Sequence, residues 1–311
     1  MKILIVNLNL AVDKTAVIGR FERGRIYRFA ETLTTVGGKG VNVARALFSW
    51  GLRPKVAGFI SGLNGLWIER ALKGEGLDAF LVRHKNGESR VCLSVVDSRG
   101  LSTDFNEEGP AVPARAQADF LRQFAAMAGG FKILAVCGRV SAGLKKGFYA
   151  KIVRAGKANG CFTIFDARGW VLKEGLAAGA DALKINRYEF EELSGRRFSA
   201  RGISDFFKKH TKSGLKALIV TDRANPSFAV SHFGLWRITP PKLAGLKSPV
   251  GAGDSFMAGF VAGFLNGFDF ERTLKLAAGF AASDCLSLGA GVIDRREALA
   301  FAQKAGVKKM F

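Results

Sequence analysis

Between residues 132 and 220, short apolar runs alternate with helical patterns, and few folds accept that alternation. The runs at 132–137, 161–166, 180–185 and 216–220 each suit one buried strand. Between them, 142–158, a short segment after 166, 187–194 and 201–212 read as helices. Strands separated by helices of this length build βαβ units, and such units build a parallel sheet covered on both faces. The expected fold class is therefore α/β, a layered sandwich.

The flanking segments complete that plan. Residues 2–6 and 54–60 read as further strands. Val41, Ala44, Leu47 and Phe48 share one helical face, 64–74 and 113–127 are also helical, and the last third carries helices at 254–267, 271–286 and 294–305. Strands at 228–231 and 235–239 form a meander before it. Two stretches differ: 10–35 is mixed, and Ser89 to Gly100 is a strand and turn followed by a second short strand, a hairpin signature. These excursions, about 10–35 and 87–106, are expected to form an antiparallel lid on the sheet. No linker or repeat splits the chain, so one domain over 1–311 is expected. Gly259, Gly263 and Gly267 recur every four residues and predict close packing of one helix against the sheet or a neighbouring helix.

Composition narrows the function. Apolar residues make up 48% of 311, enough for a large core, yet no run of about 18 is free of glycine and charge, so no membrane span is expected. The apolar start at Lys2–Val6 meets Asn7 at once and reads as a strand rather than a leader, which with four scattered cysteines predicts a reduced, cytoplasmic protein. Three isolated histidines give no metal or triad pattern. The net charge of +21 raises nucleic acid as a partner, but the densest basic pairs, Lys145-Lys146, Arg196-Arg197 and Lys208-Lys209, form no tail or known motif. Phosphorylated ligands would also draw on such charge, and nucleic acid is not the expected partner.

The chemistry concentrates at Ser248-Pro249-Val250-Gly251-Ala252-Gly253-Asp254-Ser255, a glycine turn running into an apolar helix. Free N–H groups at a helix N-terminus hold anions, and glycines let a ligand approach. Asp254 there can take a proton from a hydroxyl while the N–H groups of Gly251, Ala252 and Gly253 form an anion hole. The same residues also suit a simple helix cap.

A second motif weighs against the simple cap. Gly37-Gly38-Lys39-Gly40-Val41-Asn42-Val43-Ala44-Arg45 resembles the N-terminal signature of the ribokinase-like (PfkB) sugar kinases, and 248–255 resembles their C-terminal signature. Asn9–Asp13, Asn106–Pro110 and Lys184–Glu189 resemble lesser motifs of the branch that includes 1-phosphofructokinase and tagatose-6-phosphate kinase. The resemblance implies a ribokinase-like three-layer α/β/α sandwich with a β lid, a homodimer through that lid, and ATP with Mg²⁺ as cofactors. It implies Asp254 as base. Asp13, Gly38 and Asn42 would hold the sugar, and Lys39, Arg25 and Arg90 its phosphate, although Arg25 and Arg90 equally suit solvated lid charges. Arg139, which replaces a small hydroxyl of the family near that phosphate, would add a contact or change the accepted sugar. Lys184 and Thr221 would hold nucleotide. Asn186 and Glu189 would order Mg²⁺ through water, although their spacing equally suits an N-cap with a capping-box Glu.

Four departures bear on substrate and donor. Cys137-Gly138-Arg139-Val140-Ser141 stands for S-G-S-L-P, Cys92 for a common Asn, Pro249 for a common Thr, and Thr221–Pro226 has lost the glycines of S-L-G-x-x-G. The expected activity is phosphoryl transfer from ATP to a hydroxymethyl group of a phosphorylated ketohexose. Fructose 1-phosphate is the first substrate, ahead of tagatose 6-phosphate and fructose 6-phosphate. A ribokinase or nucleoside-type kinase, and a non-catalytic nucleotide or nucleic-acid binder, are the rivals.

Overall fold

The computed structural model describes residues 2–29, 32–99 and 101–310. Ala30 and Glu31 of the first excursion and Gly100 of the second thus lie outside the described residues. The chain opens with β1 (Ile3–Val6), β2 (Ala11–Val17), β3 (Thr32–Gly37), α1 (Lys39–Ser49), β4 (Pro54–Ser61), α2 (Gly62–Gly74) and β5 (Asp78–His84). Next come β6 (Arg90–Val96), β7 (Ser102–Asn106), α3 (Ala114–Met127), β8 (Ile133–Gly138), α4 (Phe148–Ala158), β9 (Phe162–Ala167) and α5 (Trp170–Ala177). They are followed by β10 (Ala182–Asn186), α6 (Arg187–Ser194), α7 (Ala200–His210), β11 (Ala217–Asp222), β12 (Asn225–Ser231) and β13 (Gly234–Thr239). The chain closes with α8 (Ala252–Leu265), α9 (Phe270–Asp284), α10 (Arg295–Lys304) and β14 (Gly306–Lys309).

Ten strands form one sheet in the order β14-β13-β12-β11-β10-β9-β8-β1-β4-β5. From β5 to β11 neighbouring strands are parallel; β12, β13 and β14 are antiparallel. Strand side chains alternate between the faces, so β1 buries Ile3 and Ile5 with α1, α2, α8, α9 and α10. Leu4 and Val6 face the other way, into the layer formed by α3 to α7. This is the expected three-layer α/β/α sandwich. Chain order reverses at β1, which lies between β4 and β8, and ligands of such sheets sit beyond the carboxyl ends of the strands at that point.

Four differences from the sequence reading have local causes. The helix expected from 142 starts at Phe148, because Gly143 and Gly147 adopt φ of 78° and 89° and interrupt it. Strand β5 carries charge at both ends and a half-buried face, and β14 is a four-residue edge; neither shows as an apolar run. The two excursions join: β2 pairs with β6 in parallel, so β3-β2-β6-β7 is one sheet whose two outer pairs alone are antiparallel. The altered 221–226 segment is a tight hairpin in which Asp222 pairs with Asn225, and Arg223 takes φ of 51°.

The glycine repeat has the expected use. A Cβ at Gly259 would stand 2.7 Å from Ala277 Cα, and one at Gly263 would stand 3.0 Å from Thr273 Cα, so α8 meets α9 backbone to backbone. Gly267 instead ends the helix, with φ of 69° after the cap residue Asn266. Overpacking a filled helix contact costs about 1–3 kcal/mol or more. Gly259→Val should therefore lower the unfolding free energy by at least about 2 kcal/mol in a denaturant titration, whereas Gly267→Asn, at the helix end, should cost far less.

Candidate active site

The carboxyl ends of β1, β8, β9 and β10 meet the N-termini of α1 and α8. Asn7, just past β1, accepts the Gly40 N–H on Oδ1 at 2.7 Å. A Cβ on Gly38, which has φ of 115°, would stand 2.7 Å from the Asn7 amide, so the glycines of 37–40 fold tightly over the strand end. That contact starts α1 at Lys39 and turns Asn42 inward.

Asn42 Nδ2 donates to Asp254 Oδ2 at 2.8 Å, joining the two glycine motifs directly. Asp254 lies in the first turn of α8, buried, after Gly251 has turned the chain with φ of 90°. The opening N–H groups of a helix have no intrahelical partner. Ala252 N–H makes only a long 3.4 Å contact to Pro249 O, so the turn presents its donors beside the Asp254 carboxylate. Burial raises the Asp254 carboxyl to about 6; Asp166 adds to the rise, while Lys39, Lys184 and the Asn42 amide oppose it.

Asp166, at the end of β9, organises the charge beneath. Its Oδ1 accepts from Lys39 Nζ and its Oδ2 from Lys184 Nζ, both at 2.6 Å. Burial alone would raise its carboxyl, but the two ammonium groups outweigh it and hold Asp166 ionised. Burial likewise works against the Lys39 charge, and Asp166, Glu189 and Asp254 outweigh it. Lys184 is 4% exposed and stands 2.9 Å from where a Gly253 Cβ would be, directly under the 251–253 turn. Its ammonium is thus turned to Asp166 and Gly253, and Lys39 to Asp166 and, at 3.6 Å, Glu189.

Asn186 and Glu189 make the capping box that opens α6: Glu189 N–H donates to Asn186 Oδ1 at 3.0 Å and Asn186 N–H to Glu189 Oε2 at 2.9 Å. The box leaves Glu189 Oε1 facing Lys39. Thr221, at the end of β11, turns its hydroxyl to Ile185 O at 3.4 Å.

The lid carries the remaining candidates. Asp13 is pushed up by burial against the opposing pull of Arg90, and its Oδ1 is buried without a partner. A Cβ on Gly37 would strike that carboxyl at 1.9 Å, so a larger residue there would displace the Asp13 side chain. Arg90 donates to Asn9 O at 3.3 Å and to Cys92 Sγ at 3.0 Å. Asn9 in turn donates to Glu108 O and Val140 O, and Arg139 pairs with Glu108 at 3.2 Å, which brings Arg90 and Arg139 to one rim. Arg25 is not gathered with them: it is exposed and pairs with Glu22 at 3.0 Å on the loop after β2.

The residues of 5–295 match the profile of the pfkB family carbohydrate kinases. The chain belongs to that family. It is therefore a phosphotransferase acting on a hydroxyl group. A tagatose-6-phosphate kinase of Staphylococcus epidermidis is 26% identical over 296 residues, covering 94% of each chain. Phosphofructokinase-2 from Escherichia coli, solved with substrates and products, superposes with a TM-score of 0.87 at 21% identity, covering 97% of this chain and 99% of that one. Ribokinase from Arabidopsis thaliana, solved with ribose and ATP, gives 0.74 at 21% identity, covering 97% and 98%. Among the described residues no helix is long and apolar enough to cross a membrane.

Sequence reasoning missed Asp166, Asn7 and the structural part of Arg45, which donates to Val36 O, Ala290 O and Glu75. The available signal for Asp166 and Asn7 was a polar side chain ending an otherwise apolar strand at the carboxyl side of a parallel sheet. Removing one partner of a buried ionic cluster costs roughly 3–5 kcal/mol, because uncompensated charge remains. Asp166→Asn should lower the unfolding free energy in a denaturant titration by roughly 3 kcal/mol, given that Lys39 reaches solvent, and adding Lys184→Met should recover part of the loss. Unchanged stability in Asp166→Asn would contradict the cluster.

Proposed function

We propose that this PfkB-family kinase transfers the γ-phosphoryl group of ATP to a hydroxymethyl group of a phosphorylated ketohexose, with one kinase domain spanning 1–311. The observation that carries the reading is the Asp254 carboxylate at the head of α8, held by Asn42 beside the free N–H groups of the 251–253 turn. Asp254 takes the hydroxyl proton as the sugar oxygen attacks the γ-phosphorus and ADP leaves. The N–H groups of Gly251, Ala252 and Gly253 receive the charge of the transferring group, and Lys184 adds positive potential from below Gly253.

On the acceptor side, the free Asp13 oxygen suits sugar hydroxyls, since a buried acceptor without a partner is costly unless a ligand supplies the donor. Arg90 and Arg139, drawn to one rim around Asn9 and Glu108, suit the phosphate already on the sugar. Lys39 can turn from Asp166 to that phosphate or to the transferred one; Gly38 and Asn42 line the space between. Arg25 reaches the sugar only if the lid loop moves or a second subunit presents it. Fructose 1-phosphate is the first acceptor; the tagatose-6-phosphate kinase likeness favours tagatose 6-phosphate as the second reading, with fructose 6-phosphate beside it.

On the donor side, Lys184 and Thr221 border the nucleotide phosphates. The residues suit Mg²⁺ held through water rather than in a protein cage: Glu189 Oε1 is a hard oxygen left over by the capping box, and no group of three His, Cys, Asp or Glu that could hold a metal occurs among the described residues. There Mg²⁺ would neutralise phosphate charge beside Asn186 and Glu189. The lid supports a homodimer. Its outer strands β3 and β7 are edges, and Leu33 and Phe105 are exposed on them.

Asp254 must be ionised to act, so turnover should rise as pH passes upward through about 6. A coupled ADP assay over fructose 1-phosphate, tagatose 6-phosphate, fructose 6-phosphate, fructose, ribose and adenosine should show one phosphosugar turned over with Mg-ATP. Asp254→Asn should lose about 10²–10⁴-fold of that rate. Turnover of unphosphorylated acceptors alone would sink the phosphosugar assignment, and no turnover of any would favour the nucleotide or nucleic-acid binder. Phe105→Asp should convert a dimer to monomer in sedimentation equilibrium; an unaltered mass would remove the lid from the interface.

A further inference from the structure

Asp284, the last residue of α9, is fully buried within the site and has no part in the reaction described above. Its Oδ1 accepts the Val292 N–H at 2.9 Å, but its Oδ2 has no hydrogen-bond partner. The neighbouring Ser255 Oγ, equally buried, has none either. Oδ2 lies 2.7 Å from where a Gly251 Cβ would be, against the back of the anion-hole turn. Three segments meet here. Lys247 and Ser248 N–H groups donate to Cys285 O, tying the turn to the end of α9. A Cβ on Gly291 would strike Asn42 O at 2.3 Å, so the loop after α9 presses on the residue that holds Asp254.

We infer that Asp284 is a positioning residue of the phosphoryl-binding turn, bracing it as an uncharged acid whose ionisation would set a negative charge behind the anion hole. The inference rests on the kinase reading above. As an acid, Oδ2–H can donate to Ser255 Oγ; as a carboxylate, Oδ2 can only accept from the Ser255 hydroxyl, and it then carries its charge against the back of the turn. As a carboxylate it would repel the charge gathering on the phosphoryl group from behind the turn that receives it, itself cut off from water.

The surroundings favour the acid. Burial pushes the Asp284 carboxyl up to about 7, with Asp254 across on α8 adding to the rise and the Val292 and Gly291 N–H groups and Ser255 opposing it. Arg45 of α1 comes to the same loop but donates to Ala290 O, and Glu297 of α10 is engaged by Ser283. Cys285, beside it on the chain, is itself held neutral by burial, up to about 11. Two carboxyls thus flank one helix N-terminus with opposite requirements, Asp254 ionised and Asp284 not.

The test is the pH profile of kcat on a phosphosugar that the wild type turns over, for wild type, D284N and S255A. The amide of D284N keeps an acceptor for Val292 and a donor for Ser255 but cannot ionise. Wild type should lose rate by about tenfold per pH unit on the alkaline side; D284N should keep the acid limb of Asp254 and lose the alkaline one. S255A should keep both limbs with a weakened ATP KM. An alkaline limb unchanged in D284N, or a folded D284N inactive at every pH, would overturn the inference. A second readout needs no turnover. A carboxyl raised in the folded state destabilises it progressively as pH climbs from the unfolded value near 4 to the folded one. The Tm of wild type should therefore fall more steeply than that of D284N between pH 5 and pH 8. Equal slopes would overturn the inference even if no acceptor were found, and absence of turnover with unequal slopes would count against the kinase reading alone.

Discussion

The Asp166 carboxylate, clasped between Lys39 and Lys184, is the interaction on which the site depends. Asp166 and Lys184 are withdrawn from water at the carboxyl ends of the strands while Lys39 keeps a path to solvent, and the buried charges are tolerable only because their partners are within hydrogen-bond distance. The clasp joins three elements distant in sequence: the head of α1, the end of β9 and the middle of β10. It also sets the field in which Asp254 works, because Asp166 and the lysines pull its carboxyl in opposite directions. A buried ion cluster contributes little net stability, but it fixes where its members stand, and phosphoryl transfer depends mainly on positioning and charge.

Glycine serves this arrangement at two places where a side chain would be excluded. Gly251 takes a left-handed turn with Asp284 against its back, and Gly38 folds over Asn7. Both turns end in a helix N-terminus, and the two helices face each other through the Asn42–Asp254 bond. The site is thus two helix starts set against the carboxyl ends of four parallel strands. Such a place gathers backbone N–H groups without spending side chains on them.

Pro249, in the turn before Asp254, and the buried Cys137 at the end of β8 are departures from the family pattern inside this centre; the others lie around it. The glycine-poor 221–226 segment closes as a hairpin, with Arg187 reaching Asp222 at 3.6 Å and Arg223 6.0 Å above the Tyr188 ring. Arg139 meets an exposed Glu108, and Cys92 accepts from Arg90. These are exchanges at the rim of the candidate site, while Gly251, Gly253 and Asp254 of the turn are retained.

Periodicity and turn chemistry alone were sufficient to recover the layered α/β plan, most helices and a close-packed face on α8, because helix and strand repeats and glycine turns are local properties; that α9 is what packs there was not legible. The glycine motifs marked Asp254 and Asn42 as candidates, and the fold brings the two side chains into hydrogen-bond contact. Asn186 and Glu189 were legible both ways, and the capping box they form is the local one. Strands β5 and β14, the parallel join of the lid and the partners of Lys39 and Lys184 were not legible. Each depends on contacts between segments far apart in sequence, where burial and charge decide what spacing cannot. Asp166 and Asp284 belong to the same class: a lone Asp in an apolar run has no local signature, and only the packing that strips it of water and brings a lysine, a serine or a glycine turn beside it gives it a role.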